Sequence, residues 1–332
     1  MKKRLLGLLC MAAMLGMVST AFAAKPVTLV LAHSATPDNS LSKAYDFFAD
    51  RVKELSGGSL IIEVHGGGVL AGDQTAIDGV KMGTIDMGSS ASNNMASYTT
   101  AFWVTDLPYI FRSIEASHKV WWGPIGDEMK EKAGKDIGAK AMFFIDTGGG
   151  FRVLANNKRE VRVPADAKGL KLRATGSPIE LAMFTAWGVA GTPLPWPEVY
   201  TALEQKVIDG ESLHPVWIDN AKHYEALKYM TAMPAMSNVH VCLMSSRSWD
   251  GLSAEHQKII VDAGKETQEY GAKIDAEDGV TSMQKLLDAG LVLYTPTAEE
   301  AGEWRKLSVS IWPQFADKIP QELIDRVIKA QE

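Results

Sequence analysis

The sequence predicts an α/β protein folded as two lobes. Three observations predict it. Short β-rich apolar runs alternate with helical spacing from Val27 to Ile145, the pattern of a lobe with a largely parallel sheet. Thr147-Gly148-Gly149-Gly150 then reads as a crossing point, after which the alternation begins again. Finally, about 309 residues remain once the leader is removed, and the full chain is 46% hydrophobic. That is ample core material, and at this size two lobes are expected.

The first 23 residues read as an export signal. Lys2, Lys3 and Arg4 form a basic start, Leu5 to Val18 an apolar stretch, and Ala21-Phe22-Ala23 a small-x-small cleavage site. A membrane anchor is the competing reading, but the apolar run is short of the ~20 residues a span needs. Cleavage is expected near Ala23/Ala24, with a periplasmic product. Cys10 follows Leu9 rather than the small residue that lipoprotein processing wants. Removing Lys2, Lys3 and Arg4 from the 34 basic residues leaves 31 against 40 acidic, a formal charge of −9. Such a balance argues against nucleic acid and anionic membranes. Cys242, alone in the mature chain, has no partner for an internal disulfide.

Val27 to Ala32 is the first strand, ending at His33-Ser34-Ala35-Thr36-Pro37. Ser40 precedes a helix carrying Ala44, Phe47, Phe48, Val52 and Leu55, stopped by Gly57-Gly58. Ile61, Ile62 and Val64 make a second strand; a helix around Thr75–Met82 and a strand at Ile85–Gly88 follow, leading into Ser89-Ser90-Ala91-Ser92-Asn93. Ala141 to Ile145 is a strand. Beyond the glycines come a strand at Leu170–Ala174, helices at Ile179–Trp187, Val199–Gln205 and Asn220–Tyr229, and a strand at Val239–Ser245. Ile259, Ala263, Thr267, Tyr270 and Ile274, then Val280, Met283 and Leu287, predict one helix from Ser253 to Ala289. At ~1.5 Å per residue it would be about 54 Å long, enough to cross two lobes. Two ordinary helices broken near Gly279 are the alternative. Leu291–Tyr294 is a short strand, and Thr297-Ala298-Glu299-Glu300 a capping box.

Several segments carry more than periodicity. Gly150-Phe151-Arg152 is followed by Asn156-Asn157-Lys158-Arg159, then by Val163-Pro164-Ala165-Asp166-Ala167-Lys168-Gly169-Leu170-Lys171-Leu172-Arg173. Pro193-Leu194-Pro195-Trp196-Pro197-Glu198-Val199-Tyr200 and Asp209-Gly210-Glu211 complete the region. It resembles the signature region of the periplasmic solute-binding proteins of tripartite ATP-independent (TRAP) transporters, the DctP-like family. Asp106-Leu107-Pro108-Tyr109-Ile110-Phe111-Arg112 resembles another landmark of that family. The resemblance implies a two-lobe periplasmic-binding-protein fold with crossing strands and a long helix spanning both lobes. Lobe I would take residues 24–149 plus about 239–278, and lobe II 150–238 plus about 279–332. A small organic anion would be the ligand, a membrane permease with a small and a large subunit the partner, and an ion gradient the energy source. A monomer without cofactor or metal is expected.

Arg173 ends a predicted strand, where open α/β sheets place their ligands, and a guanidinium is a planar fork matched to a carboxylate. On its own, an arginine there is equally readable as an ion-pair residue. The family's two arginines fall on Arg152 and Arg173, which implies that both hold the ligand's carboxylate. Trp196 falls on a position where the family places an aromatic against the ligand, the alternative being a loop cover for the core. An asparagine common in the family is replaced by Leu213, which puts sugar-acid readings in doubt. Trp217 is readable as cavity lining or as core. In the first lobe His33, Ser90, Ser92, Asn93 and Gln74 would face the cleft by resemblance; as residues alone they read as turn or cap groups. His240, at the start of the returning strand, is readable either way.

No Gly-x-Ser-x-Gly elbow, phosphate loop or His-Glu-x-x-His motif occurs in the sequence. Seven scattered histidines suggest no metal cluster. A receptor for a sulfonate or an aromatic carboxylate is the rival within the class, and a secreted hydrolase or lyase the rival outside it.

Overall fold

The computed structural model describes residues 25–332; the expected leader, its cleavage site and Cys10 lie outside them. The strands in chain order are β1 (Val27–Ala32), β2 (Leu60–His65), β3 (Met87–Ala91), β4 (Ala139–Asp146), β5 (Val153–Asn156) and β6 (Lys171–Ala174). They continue with β7 (Ala190–Pro193), β8 (Gly210–Leu213), β9 (Tyr229–Ala232), β10 (Val239–Ser245) and β11 (Val292–Tyr294).

These strands build two sheets, one per lobe, in the orders β2-β1-β3-β10-β4 and β11-β9-β5-β8-β6-β7. The first is parallel through β2, β1 and β3. β10 then returns from the second lobe and inserts antiparallel between β3 and β4. That insertion is the expected crossing strand, and it makes the sheet mixed rather than largely parallel. The second sheet is also mixed, with β5 antiparallel to both its neighbours and β6 parallel to both of its own.

The first helix, Ser40–Leu55, starts one residue earlier than expected. Asn39 is its cap, accepting from the Leu41 N–H at 2.9 Å, while Ser40 turns away to donate to Asp275. The third strand runs from Met87 to Ala91, later than the Ile85–Gly88 expectation. Ile85 instead packs over Gly79, where a Cβ would lie 2.6 Å from its Cδ1.

The helix expected over Asn220–Tyr229 is a correction. A short helix occupies Pro215–Asn220, with proline at its first turn as proline prefers. Lys222 then turns left-handed at φ 58°, which ends helical propagation. Tyr229 to Ala232 pairs with β5 and β11 as a strand. Tertiary pairing overrode a local apolar spacing that looked helical.

Ala254–Asp288 is one unbroken helix of 35 residues capped by the Ser253 side chain. At ~1.5 Å per residue it is about 52 Å long. Its first part packs on Ser40–Leu55 and β4 of the first lobe, and its end packs on Pro215–Asn220 of the second. Gly279 does not break it. This residue lets the crossing segment pass: a Cβ there would lie 2.4 Å from the Gly149 carbonyl oxygen and 2.5 Å from its Cα. Gly148, Gly149 and Gly150 all have positive φ, which glycine adopts without strain. The N–H groups of Gly148 and Gly149 both donate to Asp275 at 2.8 Å.

Those contacts decide the sign of a substitution. In an exposed helix, alanine for glycine stabilises by about 1 kcal/mol. At position 279 two backbones meet and neither can withdraw, so Gly279→Ala is expected to destabilise by roughly 1–3 kcal/mol. The urea unfolding midpoint reads this; an unchanged or raised midpoint would show that the crossing yields at no cost.

The C-terminal stretch departs from the expected lobe assignment. Ala298–Val309, opened by the Thr297/Glu300 capping box, stays on the second lobe, with Trp304 edge-on to Trp187. The chain then returns to the first lobe. Trp312 donates to the Pro108 carbonyl, and Gln331 exchanges hydrogen bonds with Arg112 N–H and Ile110 C=O. Helix Gln321–Ala330 therefore lies on Ile114–Trp121 of the first lobe. Among the described residues no helix is long and apolar enough to cross a membrane.

Candidate functional site

The carboxyl ends of β1, β3, β6 and β8 converge with the starts of β5 and β10 on one cavity of about 40 Å³. At roughly 10–15 Å³ of such space per water, that is room for about three waters. Ser34, Asp73, Ala91, Asn93, Asn94 and His240 line it from the first sheet's side. Arg152, Arg173, Thr175, Trp196, Leu213, His214 and Trp217 line it from the second, with Asn238 at the crossing.

The two arginines are both buried, at 3% and 4% exposure, yet their electrostatic situations differ. Arg152 has a counter-ion and spends four of its five N–H groups within the protein, one of them on the Ser212 carbonyl. Its Nη1 donates to Glu180 Oε1 at 2.7 Å, and Nε and Nη2 both donate to Asn238 Oδ1. Glu180 sits in the first turn of Pro178–Ala186, capped by Ser177, where the helix dipole favours a carboxylate. Its other oxygen accepts from the Thr175 N–H at 2.8 Å and from the Thr175 hydroxyl. The pair is thus neutral overall and closed on itself.

Arg173 has no carboxylate within salt-bridge reach among the described residues. Nε and Nη2 both donate to the Leu194 carbonyl, at 3.2 and 3.1 Å. That uses two of the five N–H groups of a guanidinium. Burial lowers its pKa from the usual arginine value, with Glu180 and Glu211 acting the other way. A cation so placed has lost its water and gained no counter-ion.

The remaining polar groups are tied in pairs. Asp73 opens helix Asp73–Met82 and accepts from Ser34 Oγ, the Ala91 N–H and Asn94 Nδ2 at 2.6, 3.0 and 2.7 Å. Burial pushes its carboxyl up, but His240 and these hydrogen bonds outweigh it, so the net direction is down. His240 contacts Ser89 Oγ through Nδ1, and burial holds its pKa low. His214 turns Nδ1 to the Gly150 carbonyl and Nε2 to Asn238 Oδ1, two acceptors of which a neutral ring donates to one; burial, then Arg152, push its pKa down to about 3. Behind the cavity Asp106 accepts from Ser177 Oγ, and burial pushes it up to about 7.

Trp196 meets Trp217 edge-on at 5.0 Å between ring centroids. Trp217 stacks on His240 at 5.6 Å and donates to Thr147 Oγ1. The apolar wall is completed by Leu213.

Of the residues singled out from the sequence, Arg152, Arg173, Trp196, Trp217, Asn93 and His240 come together here. His33, Ser90, Ser92 and Gln74 are not among the lining side chains. His33 is buried behind it, stacked on Tyr45 at 5.3 Å with both ring nitrogens unpartnered; burial, then His240, hold its pKa down to about 4. Ser90 and Ser92 are buried, and Gln74 is half-buried on its helix. In three places the immediate neighbour reaches the cavity instead: Ser34, Ala91 and Asp73. Side chains alternate across a strand, so on β3 a reading that finds the right segment can still take the wrong face, while Ser34 follows the end of β1 and Asp73 opens a helix. His214, Thr175 and Asn238 carry no local pattern that would have marked them. Among the described residues no three potential ligating side chains form a metal-binding group.

Comparison with known proteins follows the same outline. The family model described as bacterial extracellular solute-binding protein, family 7, matches residues 31–318. The chain is 32% identical over 279 residues to the 2,3-diketo-L-gulonate-binding periplasmic protein YiaO of Escherichia coli strain K12, covering 81% of this chain and 83% of that one. It is 28% identical over 331 residues to the C4-dicarboxylate-binding periplasmic protein DctP of Rhodobacter capsulatus, covering 98% and 97%. A TRAP periplasmic solute binding protein from Sulfurospirillum deleyianum, crystallised with bound succinate, superposes with a TM-score of 0.86 at 30% identity, over 92% of this chain and 99% of that one.

Proposed function

This chain belongs to family 7 of the bacterial extracellular solute-binding proteins, and from that premise we propose that it captures a small organic acid anion between its lobes for a TRAP permease. Arg173 receives the acid's carboxylate. Arg152 lines the same cavity but is already paired with Glu180, so it contributes positive field and wall rather than a free fork. The wall of Trp196, Trp217 and Leu213 packs on the ligand's carbon skeleton. His240 and Asn93 complete the site from the first lobe, while His33, Ser90, Ser92 and Gln74 support its rear.

The observation that carries this reading is the buried Arg173 without a counter-ion. Folding leaves such a group only where something else supplies the charge. A carboxylate arriving at the three N–H groups that remain regains what burial removed. A sulfonate offers similar acceptors and would be held by the same donors.

Binding is expected to close the lobes about the crossing segments, with 24–149 and about 239–278 moving against 150–238 and the chain as far as Val309. The carrier would be exported, cleaved near Ala24, and would deliver its cargo to the small and large permease subunits. Native mass spectrometry of protein recovered from the periplasm tests these points together. The expected spectrum has the mass of a chain starting at or near Ala24 with a small acidic adduct. Removing the adduct should lower stability, by about 2.7 kcal/mol when the ligand was at ~100 times its dissociation constant. A chain that carries no adduct, and that no organic acid stabilises, would count against the proposal.

A further inference from the structure

We propose that the cleft selects a monoanion bearing an O–H or N–H donor at the end opposite its carboxylate, and that it discriminates against dicarboxylates. The proposal rests on the reading of Arg173 as the carboxylate's anchor. It comes from counting charges and lone pairs around the rest of the cavity.

Two guanidinium groups line the cavity, Arg152 and Arg173. Three carboxylates stand against them: Glu180, paired with Arg152; Glu211, buried beside Arg173 on the neighbouring strand and bonded to His223; and Asp73, which lines the cavity without a salt bridge. His214 and His240 have their pKa values lowered by burial, so both rings are neutral near neutral pH. Carboxylates therefore at least match the guanidinium groups before any ligand arrives, but the charges are not all paired. Arg173 waits on the second lobe and Asp73 on the first. A monoanion on Arg173 meets one free cation. A dianion would bring a second charge into a cavity with no second free guanidinium and with a carboxylate already in its wall, where like charges repel strongly.

The hydrogen bonds point the same way. An ionised carboxylate has about four lone-pair sites, and Asp73 accepts three bonds, so one site remains. Asn93 supplies a second acceptor. Its neighbour Thr175 gives its hydroxyl proton to Glu180, so Thr175 Oγ1 must accept from the Asn93 amide nitrogen, the contact seen at 3.2 Å. That leaves Asn93 Oδ1 as the atom still to be satisfied: it is buried without a partner on a residue of the cavity wall. The first lobe thus offers two acceptors, and the second offers the donors of Arg173. A ligand complementary to both walls has its acceptor end on Arg173 and a hydroxyl or ammonium toward Asp73 and Asn93. Such a ligand ties the lobes to each other.

Calorimetry on the mature chain near neutral pH tests this with acids matched in length. The four-carbon set is butanoate, 4-hydroxybutanoate, 4-aminobutanoate and succinate, with the three- and five-carbon sets alongside. At the length that binds best, the hydroxy or amino acid is expected to bind at least about tenfold tighter than the dicarboxylate. Comparing those two arms identifies the donor. Asp73→Asn removes the charge and keeps the shape, so it should shrink that ratio about fivefold or more. A dicarboxylate that equals or exceeds both donor-bearing acids in the wild type overturns the proposal, as does an unchanged ratio in a folded Asp73→Asn. Should that variant fail to fold, the wild-type ranking decides alone. Dicarboxylates preferred, with binding lost in Arg173→Ala, would sink this proposal and leave the anion receptor standing. No binding by any acid of any length would sink both.

Discussion

Arg173→Ala is expected to weaken binding of the acid by about 30- to several-thousand-fold while leaving the fold intact. The range follows from a loss of roughly 2–5 kcal/mol for one partner of a desolvated charge pair, at ~1.4 kcal/mol per decade of affinity. The fold should tolerate the change because the guanidinium's only bonds run to one carbonyl, that of Leu194. Removing the side chain strands no buried carboxylate. Arg173→Lys keeps a charge but not the fork, so two parallel hydrogen bonds cannot form. It should bind more weakly than wild type and better than Arg173→Ala. Calorimetry on the three proteins, with circular dichroism as the control, measures the order. A folded Arg173→Ala that binds within threefold of wild type would place the anion elsewhere.

Glu180→Ala is expected to act in the opposite way, on the fold. Its carboxylate neutralises Arg152 at 2.7 Å and takes both the N–H and the hydroxyl of Thr175. All three residues are buried. Removing one partner of a buried ion pair costs about 3–5 kcal/mol, because the other charge stays behind unpaired. Glu180→Gln keeps an acceptor for Arg152 but loses the charge, so a smaller loss is expected. Urea denaturation of both variants against wild type reads these differences. A loss below about 1 kcal/mol in Glu180→Ala would mean that Arg152 finds another anion or water. Together the two substitutions separate the arginines by role: one waits for ligand, the other is already spent on structure.

The contrast between these two arginines also marks how far the sequence reaches. Both stand in segments that resemble a family signature, and both were legible as candidates for the anion. Nothing near Arg152 in the sequence names Glu180, 28 positions away, as its counter-ion. Only the tertiary fold, which seats Pro178–Ala186 on β7 of the second sheet, brings them together, and only that decides that Arg152 arrives neutralised and Arg173 does not.

The sequence by itself determined the alternation of strands and helices, the helical spacing from Ser253 to Ala289 with its serine cap, the capping box at Thr297, and a strand at Val239–Ser245, though neither that strand's return to the first lobe nor the unbroken length of the helix. These depend on periodicity and on cap chemistry, which act over a few residues. The tertiary structure alone decided what depends on contacts between distant segments. Tyr229–Ala232 became a strand because two neighbours pair with it, and the last helix went to the first lobe because Gln331 satisfies the backbone of Ile110 and Arg112. It also decided which neighbour of a well-placed pair faces the ligand: Ser34 over His33, Asp73 over Gln74, Ala91 over Ser90. Alternation along β3 can be read from the chain, but which of its two faces looks into a cavity is set by the sheet and the lobe on the other side, and the orientation of the loop after β1 and of the helix start at Asp73 is set by the same packing.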